Sequence, residues 1–142
     1  GAPYWNSEIR ASYHGITRNS SKADLVSAAF NSISYQTKDI VDCLSDAGIK
    51  INKLNIDGGM VSNITFAKQI ANLLNLKISI PENKESTARG VAILAGIKCG
   101  IMNENHVKDQ IKTTYNPHPD RHQAMQQDYV IWKSIIEKCL LP

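Results

Sequence analysis

The chain has 142 residues, of which 42% are hydrophobic and 20% charged, with a net charge of +3. This is the make-up of an ordinary soluble globular domain, and it excludes collagen, coiled coil and disorder. The 16 basic and 13 acidic residues do not gather into a stripe, so nothing points to nucleic acid or an anionic membrane as partner. No apolar run reaches the roughly 18 residues of a membrane span. Gly1-Ala2-Pro3-Tyr4-Trp5 has no initiator Met, basic n-region or apolar h-region, so it is no signal peptide and reads as the interior of a longer chain.

Cys43, Cys99 and Cys139 are odd in number, far apart and without a C-x-x-C. They argue against a disulfide framework and for a reduced, cytoplasmic compartment. Each is expected as a small buried hydrophobe on a helix. The sequons at Asn19 and Asn63 would matter only in a secreted chain, of which there is no sign.

Residues 1–20 read as loop with a short strand near Ile16. Ser21 and Asp24 then form an S-x-x-D capping box. Val26, Phe30, Ile33, Ile40 and Leu44 follow at near-helical spacing, which predicts a helix over 22–46 that stops at Gly48. Leu54 and Ile56 alternate with polar neighbours in a strand over 53–57 that ends in Gly58-Gly59. A helix over 62–74 carries Phe66, Ala67, Ile70, Leu73 and Leu74 on one side, and a strand over 77–80 stops at Pro81. The next helix begins near Ser86 and ends by Gly100. Its Ala88, Ala92 and Gly96 form a nearly bare face that invites close packing rather than a ligand. Residues 103–120 are polar and read as a connecting loop. A last helix over 121–140 carries Met125, Tyr129, Trp132, Ile135, Ile136 and Cys139. Strands alternating with helices imply βαβ units, an α/β fold and a short parallel sheet flanked by helices. Two strands do not make a stable sheet, so further strands lie either in residues 1–20 or outside the chain.

The chemistry concentrates at Asp57-Gly58-Gly59, where a strand ends, two glycines follow and a helix starts within four residues. Glycines there let backbone approach a ligand, and a helix N-terminus offers free N–H groups. Ligands in parallel sheets bind outside the carboxyl ends of the strands. The segment therefore reads as a nucleotide or phosphate contact, with a plain tight turn as the alternative. There is no G-x-G-x-x-G and no G-x-x-x-x-G-K-[ST], which disfavours Rossmann and P-loop sites. His118 and His122 lie four apart, but the prolines at 117 and 119 place His118 before the helix, and no third ligand is near. They read as a solvated helix entrance. No Ser-His-Asp arrangement can be argued.

Taken in order, several segments resemble the FGGY carbohydrate kinases, and within them the glycerol kinases. Ala2-Pro3-Tyr4-Trp5 with Arg10 resembles their APYW…AR segment. His14-Gly15-Ile16-Thr17-Arg18 with Asp24-Leu25 and Ala28 resembles the second family signature, and Ser34-Tyr35-Gln36-Thr37 lies in a helix like theirs. Asp57-Gly58-Gly59-Met60-Val61-Ser62-Asn63 looks like their adenosine-contact loop. Glu85-Ser86-Thr87-Ala88-Arg89-Gly90-Val91-Ala92 is similar to their ETTALGAA helix, and Tyr129 and Trp132-Lys133 match a closing Y…WKKA helix. The resemblance covers nearly the whole chain. Departures fall at Asn31, where an acidic residue or Gln is usual, at Ala11, where Gly is usual, and at Arg89, where Leu is common. The first bears on a hydrogen bond or ion pair of the long helix, and the third puts a charge near an apolar contact.

The resemblance implies a ribonuclease H-like (actin-like ATPase) fold, with residues 1–142 as the C-terminal portion of the second, nucleotide-side domain and the N-terminal domain absent. It implies ATP-dependent phosphoryl transfer to a primary hydroxyl of glycerol, with Mg²⁺ held by carboxylates of the missing domain, which would also carry the catalytic base. No catalytic or metal-binding residue is assigned to this chain, and the isolated chain is expected to be inactive. Gly58, Gly59, Met60 and Asn63 are the expected nucleotide contacts. Gly59 would act through backbone and Asn63 through its side chain, with Gly58 shaping the loop and Met60 lining the adenine side. The implied partners are ATP or ADP, glycerol and the rest of the same kinase chain. A homo-oligomer is left open, and neither nucleic acid nor a membrane span is expected. Two alternatives stand: another FGGY sugar kinase, xylulokinase- or gluconokinase-like, or a non-catalytic actin-like interaction module.

Overall fold

The computed structural model describes residues 1–83, 85–107 and 110–140. Helix α1 runs Lys22–Asp46, as its signals predict. Ser21 caps it by accepting from the backbone N–H of Asp24, while the Asp24 carboxylate accepts from the Ser21 backbone at 2.8 Å. At the other end Gly48 takes φ +82°, a conformation that favours glycine, and its N–H reaches the Ser45 carbonyl at 2.9 Å. Strand β1 (Lys53–Asn55) is followed by a 3-10 turn (Gly59–Ser62), helix α2 (Ile64–Leu74) and strand β2 (Lys77–Pro81). Helix α3 spans Ser86–Lys98, and α4 spans Pro119–Leu140 with proline at its first position.

β1 and β2 pair in parallel, Leu54 opposite Ile78, so β1–α2–β2 is the predicted βαβ unit. The third strand of this sheet does not lie in residues 1–20. It is β3 (Ile111–Tyr115), inside the tract read as a connecting loop, and it pairs antiparallel with β2 in the order β1-β2-β3. The sheet is therefore mixed rather than parallel. β3 escapes notice because it is largely exposed and its middle is Lys112-Thr113-Thr114, with no apolar alternation to mark it. No strand forms near Ile16, which is exposed.

The core lies between the sheet and a layer of α1, α2 and α4, with α2 in the middle. Phe66, Ile70 and Ala71 of α2 meet Ile78 of β2, with Phe30, Leu54, Ile56 and Tyr115 around them. A second cluster joins Tyr35 of α1, Leu73 of α2 and Tyr129 of α4, against Met125 and Trp132. α1 is rotated relative to its apolar stripe. Ser34, Tyr35 and Asp39 are buried, whereas Val26, Ile33, Ile40 and Leu44 are exposed. The bare face of α3 is likewise mostly unused. Ala88 and Ala92 are exposed, and only Gly96 is buried, with Met102 laid against it. Cys43, Cys99 and Cys139 are all exposed rather than buried, since each sits on the outward side of its helix or at its end.

Candidate functional site

The 58–63 segment lies at the carboxyl end of β1, where the Ile56 N–H still bonds the Ser79 carbonyl at 3.0 Å. Gly58 turns the chain with φ +88° and ψ −179°, a region open essentially only to glycine. Val61, buried at 4% exposure against Ala67 and Ile80, anchors the following 3-10 turn. The turn is closed by Val61 N–H on the Gly58 carbonyl and Asn63 N–H on the Met60 carbonyl at 3.0 Å. Met60 and Gly59 stay at the surface. A Cβ built on Gly59 would meet nothing within 4 Å, so the protein itself leaves that space open.

Asn63 is the N-cap of α2. Its Oδ1 accepts from the Thr65 N–H at 3.0 Å and the Phe66 N–H at 3.4 Å. The capping role and a ligand role are compatible only in part. The oxygen is committed, and the exposed amide NH₂ is left as donor. The structure thus brings Gly58, Gly59, Met60 and Asn63 onto one exposed turn at the strand's end, beside the α2 N-terminus.

The histidines take structural parts. The His118 N–H donates to Asn72 Oδ1 and the His122 ring bonds the Asn72 carbonyl, both at 2.8 Å. Among the described residues no group of three or more His, Cys, Asp or Glu could hold a metal ion. Asn31, one of the departures, accepts a hydrogen bond from Gln69 Nε2 and so ties α1 to α2. Arg89, another, donates from its guanidinium to the His106 carbonyl at 2.7 Å and the Val107 carbonyl at 3.4 Å.

No sequence motif marks Asp39 as special. This carboxylate is 1% exposed and accepts from the Tyr4 hydroxyl, from the Tyr129 hydroxyl at 2.5 Å and from Lys133 Nζ at 2.6 Å. It fastens the N-terminal segment and α4 to the middle of α1. Burial, then the bond to Asp39, pushes the Tyr4 and Tyr129 hydroxyls up in pKa. Burial opposes the Lys133 charge, but its bonds to Asp39 and Tyr4, with the attraction of both groups, together raise its pKa. The available signal was an Asp one turn beyond Tyr35 on a helix face.

A mixed sheet lies under a layer of three helices, with a glycine turn at a strand's carboxyl end beside a helix N-terminus, the place where ligands generally bind in α/β sheets. Residues 1–99 match the model of the FGGY family of carbohydrate kinases, C-terminal domain, and the chain belongs to that family. Glycerol kinase of Marinomonas sp. (strain MWYL1) is 34% identical over all of this chain. The crystal structure of Plasmodium falciparum glycerol kinase with ADP aligns at a TM-score of 0.76 and 29% identity, covering 99% of this chain and 29% of that one. The ligand-bound xylulose kinase from Lactobacillus acidophilus aligns at 0.83 over 96% of this chain and 29% of its own, at 23% identity, a likeness of fold alone. The chain spans about a quarter of the length of the curated relatives it matches, 24% in the Marinomonas case. Among the described residues no helix is long and apolar enough to cross a membrane.

Proposed function

We propose that residues 1–142 form the C-terminal, nucleotide-side portion of a cytoplasmic glycerol kinase, which transfers the γ-phosphoryl group of ATP to a primary hydroxyl of glycerol. The observation that carries the reading is the exposed 58–63 turn, where Gly59 leaves room for a ligand and Asn63 keeps a free amide donor. Gly59 contacts the nucleotide through its backbone and Asn63 through its NH₂, near adenine or ribose. Gly58 holds the turn open by its backbone conformation, and Met60 lines the adenine side. Mg²⁺, when bound, neutralises phosphate charge, and its ligands belong to another domain of the kinase. The choice of glycerol over a pentose as acceptor rests on the glycerol kinase relatives.

The remainder of the kinase is the partner. Val26, Ile33 and Ile40 on α1, and Val91, Leu94 and Ile101 on and just after α3, are exposed at seven- and three-residue spacings. Such stripes suit burial against further protein. Phosphoryl transfer needs a closed cleft with positioned groups on both sides, which one wall does not supply. The isolated 142-residue chain is therefore expected to release no ADP from ATP and glycerol in a coupled assay. Measured turnover by the isolated chain would overturn this assignment.

A further inference from the structure

A cleft of about 700 Å³ opens between α2 and α4, and no residue of the 58–63 turn lines it. α2 faces it with Thr65, Lys68, Gln69 and Asn72, spaced i, i+3, i+4 and i+7, and α4 faces it from Arg121 to Asp128 with the same spacing. Asn116 and His118, just before α4, also line it. Its floor is fixed. The Asn72 Oδ1 holds the His118 N–H at 2.8 Å, which leaves its NH₂ as a placed donor. Gln69 is held by Asn31.

Lys68 and Arg121 enter no ion pair among the described residues. Two exposed cations, Lys68 and Arg121, and His118, which lies 4.0 Å from the Asp120 carboxylate, line the cleft with one carboxylate, Asp128. That carboxylate stands two helical turns from Arg121, roughly 10 Å along the α4 axis. A guanidinium fork and an ammonium beside neutral amide donors match the oxygens of a phosphate group. The volume falls in the range of small-molecule sites, about 300 to 1,000 Å³.

We propose that this cleft binds a small phosphomonoester, distinct from the nucleotide at the 58–63 turn. Its phosphate lies between Lys68 and Arg121, and its hydroxylated end meets Asp128. The test is titration of the protein with inorganic phosphate and with glucose 6-phosphate, followed by amide chemical shifts. Lys68, Asn72, Asn116, His118 and Arg121 should shift on one saturating curve, with glucose 6-phosphate binding tighter than phosphate. The variant Lys68→Ala/Arg121→Ala should weaken binding by about tenfold or more through loss of two charge-assisted contacts. The charge-matched variant Lys98→Ala/Lys138→Ala should leave it within about twofold. Equal weakening by both double variants, shifts confined to residues 58–63, no saturable shift, or tighter binding of an acidic peptide at the same amides would each overturn the proposal.

Discussion

Replacing Asp39 by Asn keeps the side-chain shape and removes the charge on which three donors converge. Tyr4 bonds one carboxylate oxygen; Tyr129 and Lys133 bond the other, at 2.5 and 2.6 Å. An amide retains one acceptor oxygen and turns an NH₂ toward at least one existing donor. A hydrogen bond to a buried charge contributes about 1.5 to 3 kcal/mol, and breaking a buried pair from one side costs about 3 to 5. The Lys133 side chain is 34% exposed, so water recovers part of its loss. The expected cost is about 3 kcal/mol, which for a domain of this size lowers Tm by roughly 10 °C. Thermal and urea denaturation followed by circular dichroism measure it. The Lys133→Met variant and the double variant complete a cycle whose coupling should be about 1 to 2 kcal/mol. An Asp39→Asn protein within about 0.5 kcal/mol of the parent would refute the argument that this carboxylate fastens three segments together.

A Cβ at Gly96 would meet the Met102 side chain at 2.7 Å, so Gly96→Ala should destabilise by about 1 kcal/mol despite alanine's helix preference. In a Met102→Ala background, where only the residue-102 Cβ at 3.1 Å remains in the way, the same change should cost clearly less, read by urea denaturation. Tyr35 is pushed up to about 12, first by burial and then by the Asp128 charge. The fold thus favours the neutral phenol; its contribution is whole below the ordinary value of 10.0 and is lost as pH rises through about 12. Stability measured below pH 10.0 and near pH 12 should fall less in Tyr35→Phe than in the parent.

Much of this architecture is legible because its signals are local. The Ser21–Asp24 box and Gly48 bracket α1 at its observed ends, and Phe66, Ala67, Ile70 and Leu73 name the buried face of α2. The turn at 58–63 is legible for the same reason, since two glycines between a strand and a helix are visible in the chain itself. What depends on tertiary pairing is not. β3 is held by its ladder to β2 and carries no periodic pattern of its own. The apolar stripe of α1 predicts the helix correctly but the wrong buried face, because Tyr35 and Asp39 meet α4 and the N-terminal segment from far along the chain. Asn63 shows the limit at the site. Its spacing allows a cap or a ligand contact, and only the structure shows that the oxygen is committed to the cap.

The central claim is that the turn at Gly59 receives the nucleotide. The most direct test is the variant Gly59→Val in the kinase that carries this sequence, with KM measured for ATP and for glycerol. A Cβ there meets no protein atom within 4 Å, so the added side chain enters the space assigned to the ligand. The account predicts that KM for ATP rises by about tenfold or more while KM for glycerol stays within about twofold. An equal rise in both would contradict it and make the turn a structural connection only.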